Sequence, residues 1–182
     1  LPLMQVTHSH SFSMQPDSST SGKLLNNLFG ILKKTRSDEE AGAVEDMIWT
    51  IWMEGGSEET NTMMKRGCRF LENHNYDSAI RVFARMIRRN GHYAEAWNKR
   101  ATAYYLRGDY KLSIDDIRHT LQLEPRHFGA LSGWASISLV VGDHWGALKA
   151  LERLYELRPN QPGLRQQIND LHVQILNERR RE

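Results

Sequence analysis

The stretch that decides the fold runs from residue 94 to residue 127, AEAWNKRATAYYLRGDYKLSIDDIRHTLQLEPRH. Apolar side chains recur at helical spacing on both sides of Gly108-Asp109, a pair suited to ending one helix and capping the next. Pro125 stops the second helix. Sliding the chain against itself by 34 residues lays this hairpin over residues 60–93 and 128–161. The columns agree in physical type. An apolar anchor recurs at Met63, Trp97 and Leu131, and small residues recur at Gly67, Ala101 and Ala135 and again at Ala79, Ser113 and Ala147. Small side chains let two helices approach closely, so the spacing predicts three consecutive helical hairpins.

These residues resemble the tetratricopeptide repeat (TPR), and the middle copy matches that pattern at nearly every signature column. The run AEAWNKRATAYYLRGDY followed by EPRHFGALSGW also resembles a bacterial and organellar subgroup of such proteins. The resemblance implies an all-α, right-handed solenoid whose first helices line a concave groove. It places Asn61, Met64, Cys68, Leu71 and Glu72 of the first copy in that groove. From the second copy come Glu95, Asn98, Thr102, Tyr105 and Leu106, and from the third Gly129, Ser132, Ser136, Leu139 and Val140.

The partner expected there is an extended peptide or a helix of another protein, with Met64, Cys68, Asn98, Lys99, Thr102, Tyr105, Ser132 and Ser136 as contacts. Some TPR domains hold the acidic C-terminal tail of chaperones in a Lys/Asn/Arg carboxylate clamp. The equivalent positions here are Met64, Cys68, Lys99, Gly129 and Gly133, of which only Lys99 suits an anion, so no chaperone-tail binding is expected. Gly129, Ser132, Gly133 and Ser136 give one helix face almost no side chains. Such a face either lets a neighbouring helix pack closely or opens a pocket for a partner's bulky residue. Arg66 and Arg100 stand in a column that is usually Leu in this family. An arginine on that stripe needs a partner, Asp77 for Arg66 and Asp115 or Asp116 for Arg100, or else it reaches out to a ligand's carboxylate.

Outside the repeats, residues 1–22 are Ser-, Thr- and His-rich and read as a disordered tail or the remnant of an organelle transit peptide. Residues 23–59 read as a helix pair: Leu24, Leu25, Leu28, Ile31 and Leu32 mark one stripe, and Val44, Met47, Ile48, Ile51 and Trp52 another. Trp49 and Trp52 fall 34 residues before Phe83 and Met86, so the pair reads as a degenerate repeat stacked ahead of the first. Residues 162–182 read as a capping helix.

Charge is balanced overall, +2 from 24 basic and 22 acidic residues, too even to declare nucleic acid or membrane the general partner. Locally it is segregated. Residues 37–59 hold eight acids and no Lys or Arg, whereas residues 60–93 carry seven bases against two acids. If the two segments stack, they neutralise each other. Arg81, Arg85, Arg88 and Arg89 share one face of a second helix, and the alternative function is an organellar RNA- or assembly-associated factor using that convex face.

No pattern in the sequence supports catalysis. The histidines lack metal-ligand spacing, no Gly-rich phosphate loop or nucleophile elbow is present, and Cys68 is a lone thiol beside Lys65 and Arg69. The reading is therefore a protein without catalytic residues, metal or cofactor. No apolar run reaches the roughly 20 residues of a membrane span, and the expected location is an organelle, or the cytoplasm of a bacterium.

Overall fold

The computed structural model of the chain describes residues 20–180. The tail reading of residues 1–22 falls almost wholly outside them. The described residues fold into nine α-helices: α1 (Thr20–Lys34), α2 (Asp38–Met53), α3 (Glu58–Glu72), α4 (Tyr76–Arg89), α5 (Ala94–Arg107), α6 (Tyr110–Leu123), α7 (Phe128–Val140), α8 (His144–Leu157) and α9 (Leu164–Arg179). Among the described residues there is no strand.

Helices α3 to α8 form three stacked hairpins, α3/α4, α5/α6 and α7/α8. Each first helix packs against the second helix of its own hairpin, and α5 and α7 pack also against the second helix of the hairpin before. The turns inside the hairpins are made as the residue types demand. Gly108 and Gly142 leave α5 and α7 at φ 90° and 77°, and in the first hairpin His74 takes φ 56°, a left-handed conformation that costs a non-glycine residue energy. Asn75 and Asp143 then cap α4 and α8 with their side chains. The small-residue columns lie where the helices cross. Gly67, Ala101 and Ala135 are buried, as are Ala79, Ser113 and Ala147, and the Ser113 hydroxyl donates to the Ala101 carbonyl at 2.8 Å. Helix α9 closes the far end, burying Leu164, Leu171 and Ile175 on α8.

The first two helices do not stack ahead of the first hairpin. They fold back across the solenoid, α1 packing on α8 and α2 on α5. Their shared core of Leu25, Leu28, Phe29, Leu32, Ala41, Ile48 and Trp52 meets Phe128 and Leu157 of the third hairpin. The reason is chemical as well as steric. The acids of α2 find bases at the far end of the solenoid: Arg158 donates to both Glu45 and Asp38 at 2.9 Å. The Asn160 side chain donates to the Thr35 carbonyl, and Arg126 donates to Asn26 at 2.6 Å while lying 4.5 Å over the Phe29 ring. The mutual neutralisation expected of residues 37–59 and 60–93 is thereby largely undone, only Glu59 pairing with a base of the first hairpin, Arg89.

Candidate functional site

The concave groove is floored by α3, α5 and α7, and α2 lies in it. Trp49 and Trp52, three residues apart on α2, face the floor together. Trp52 stacks on the imidazole of His127 with centroids 4.2 Å apart and planes within 10°. Trp49 meets His127 and Phe128 edge-on and carries the Lys99 ammonium 5.2 Å from its ring. Its outer ring edge fills the space beside Gly129, so the niche that the sequence left bare receives a bulky residue of the same chain.

Beneath the tryptophans is a buried polar cluster. The Glu95 side chain is fully buried and accepts from His127 Nε2 at 2.8 Å and from the Asn98 amide at 3.3 Å, with Lys99 Nζ at 3.3 Å. His127 also caps α7, its Nδ1 accepting from the Ala130 N–H at 3.2 Å. A ring nitrogen that accepts carries no proton, so Nε2 holds it and donates to the carboxylate. Glu95 keeps its charge balanced by Lys99 in a place where an unpaired carboxylate would be costly. Tyr93 donates to the Met53 carbonyl at 2.8 Å and anchors the end of α2; burial first, and then the charge of Glu95, push its hydroxyl well above the ordinary range.

Met64 and Asn98 are therefore buried, and Lys99 is engaged by Glu95 and Trp49. Cys68 and Tyr105 are half-buried, and Thr102, Ser132 and Ser136 are exposed along the part of the groove that α2 leaves open. Leu106, Leu139, Val140 and Val141 are exposed at the same end, where the first helices finish. The Cys68 thiol is raised in pKa, by burial above all, against the lowering pull of Lys99, so the basic neighbours Lys65 and Arg69 do not activate it.

Arg100 turns away from the groove. Its Nε and Nη2 hold both oxygens of Asp116 at 2.7 and 2.8 Å, and that bond raises its pKa further. Arg66 does not reach Asp77, which pairs with Arg107 at 2.5 Å; it lies 5.7 Å over the Phe70 ring instead. Arg81, Arg85, Arg88 and Arg89 are exposed on α4.

His127, Arg126 and Arg158 escaped the sequence reading, and Trp49 was placed in a stacked repeat rather than in the groove. The only sign of them was the coincidence of two tryptophans three residues apart with a helix face lacking side chains some 80 positions later. Among the described residues no cluster of three His, Cys, Asp or Glu side chains could hold a metal ion, and no helix is long and apolar enough to cross a membrane.

Comparison with known proteins agrees with this architecture. The family model described as tetratricopeptide repeat matches residues 64–122. A TPR repeat-containing protein of Rhizobium etli is 35% identical over 162 residues, covering 89% of this chain and 79% of its own. Among solved structures, the first TPR of Spaghetti bound to an HSP90 peptide superposes with a TM-score of 0.58 at 18% identity, over 63% of this chain and 91% of that one. The TPR2AB domain of yeast Sti1 in complex with HSP90 does so with a TM-score of 0.56 at 15% identity, over 84% and 62%. At these identities the two structures share the fold.

Proposed function

The chain belongs to the tetratricopeptide repeat family, and from that premise we propose that it is a non-catalytic adaptor that takes a helix or extended peptide of another protein in its concave groove. One observation carries the reading. The groove already accommodates a helix, α2, seating its two indoles against His127, Phe128 and Gly129. A surface that holds one amphipathic helix has the width and the apolar floor for another.

The partner's share of the groove is the open part beside α2, formed by Cys68, Thr102, Tyr105, Leu106, Ser132, Ser136, Leu139 and Val140. Its one charged neighbour is the exposed Glu72 near Cys68, so recognition there rests on apolar contact and hydroxyl hydrogen bonds more than on long-range attraction. A ligand with a short apolar side chain flanked by small polar residues matches this lining.

The test is site-specific photo-crosslinking in cells of the native source. A photoreactive residue at Ser132 or Leu139 should give a discrete adduct with one protein, lost when Ser136 is changed to Arg. Adducts from a probe at Arg88 with none from the groove positions would reject the reading.

A further inference from the structure

The folding-back of α1 and α2 leaves the front of the solenoid uncovered among the described residues, and the repeat itself shows what is missing. Helix α5 lies between α4 and α6, and α7 lies between α6 and α8. Helix α3 has α4 on one side, and among the described residues no helix packs ahead of it in the place that α4 takes ahead of α5. A cleft of about 260 Å³ marks the spot, floored by Met63, Phe70 and Val82 and rimmed by Arg66, Arg81 and Arg85.

Its chemistry is plain when set beside the next copy, 34 residues on. There, the positions of Arg66 and Val82 are held by Arg100 and Asp116, a bidentate ion pair, and those of Arg81 and Arg85 by Asp115 and His119. His119 stacks on Trp97 with centroids 4.2 Å apart, so the second copy fills its own cleft. In the first copy the carboxylates are replaced by Val82 and Arg81. Arg66 rests on Phe70 and Arg81 donates to the Ser78 hydroxyl, and neither these two nor Arg85 has an acidic partner among the described residues. Three guanidinium groups around an apolar floor, on the front of a hairpin whose counterparts each meet the second helix of the hairpin before, define the absent occupant in shape and charge.

We infer that this front cleft is a second docking surface, separate from the groove, and that it takes an acidic amphipathic helix of a partner protein. The helix lays an apolar stripe on Met63, Phe70 and Val82 and presents carboxylates to Arg66, Arg81 and Arg85, doing from outside what Asp116 does for Arg100.

The probe is a fluorescein-labelled synthetic 16-residue helix with a leucine stripe flanked by glutamates, and the control is the same helix with lysines for glutamates. Titrated with the full chain, the glutamate helix should bind and the lysine helix should not. Arg66→Glu with Arg85→Glu should weaken binding at least tenfold, while the thermal transition of the protein stays put, since both side chains are exposed. Ser132→Arg, in the groove, should leave it unchanged. Failure of the wild-type chain to bind the glutamate helix overturns the inference, as does equal binding by the double variant or loss in Ser132→Arg. Two further outcomes overturn it by naming a different occupant. One is tighter binding of a single-stranded 12-mer RNA that vanishes in the double variant, and the other is self-association that vanishes with it.

Discussion

The outer ring of Trp49 occupies the position that a β-carbon on Gly129 would need: Trp49 Cη2 stands 2.7 Å and Cζ2 3.0 Å from it. A side chain at residue 129 and the indole of residue 49 therefore exclude each other. Gly129→Leu should expel Trp49 and release α2 while leaving the three hairpins folded. Amide exchange across residues 38–53 should accelerate at least tenfold against little change in α5 to α8, because release is a local opening. Unchanged exchange in α2 would mean that Trp49 has another seat.

Arg100 and Asp116 should behave as a pair. Arg100→Leu alone strands a nearly buried carboxylate and is expected to destabilise the chain by about 3 to 5 kcal/mol in urea unfolding. Adding Asp116→Leu should recover most of that loss. Equal destabilisation by both proteins would show that packing of the guanidinium over Trp97 and Tyr104, and not the charge, is what matters.

Two glycines of the small-residue faces should part company. A β-carbon at Gly67 would lie 2.6 Å from Phe83 Cζ, and Phe83 is fully buried, so Gly67→Ala is expected to cost about 1 to 3 kcal/mol by overpacking. At Gly133 the nearest atom is the end of Ile117, 3.2 Å away, and a small shift of that methyl suffices. Gly133→Ala should lie within about 1 kcal/mol of the parent, helped by helix propensity. Thermal unfolding of the two variants side by side is the measurement.

Cys68 should be a slow thiol. Burial raises its pKa, so at pH 8 the thiolate fraction is smaller than in an unstructured peptide, and alkylation by iodoacetamide should run more slowly than with free cysteine. The sign extends to stability. Because the unfolded chain ionises first, the thiol's contribution to stability is present at neutral pH and is lost as pH rises through the folded value. Alkylation faster than free cysteine would contradict the assigned environment.

An acidic chaperone tail should not bind. Of the clamp positions, Met64 is buried, Lys99 is held by Glu95, and Gly129 lies under Trp49. Fluorescence anisotropy with a peptide ending in a chaperone's acidic C-terminal motif should show no saturation at about 100 μM protein, a concentration well above micromolar affinity. Saturation in the low micromolar range would mean that α2 yields to the peptide and that the clamp needs fewer bases than expected.

The solenoid was legible in the sequence because its information is local and repeated. Gly108-Asp109 and Gly142-Asp143 announce their turns, and the small columns at Ala101 and Ala135 lie where helices must cross. The seat of α2 was not legible. Amphipathic spacing shows that Ile48 and Trp52 are buried but not against what, and Trp49 and Trp52 coincide with the second-helix column, which made stacking the natural expectation. The deciding contacts, Trp49 with Gly129 and Arg158 with Glu45, join residues far apart in the chain through shape and charge that no periodicity records. The partner of Arg100 was one of two carboxylates the sequence offered, whereas Asp77 pairs with Arg107 of the next hairpin and Arg66 lies over Phe70, contacts that no local spacing records.

Four residues, Glu54 to Ser57, join α2 to α3, with Gly56 at φ 79°. Fully extended, such a leash spans roughly 14 Å, so a hairpin that leaves the groove stays within about a helix length of it. A tethered competitor at that range has an effective concentration on the order of millimolar. Any ligand that needs the Gly129 niche meets this rival first, and its apparent affinity is its intrinsic affinity multiplied by the fraction of time the niche stands open. The leash length thus sets a threshold: weak encounters are turned away by the chain's own tryptophans, and only a ligand present in abundance or bound with high intrinsic affinity holds the groove open.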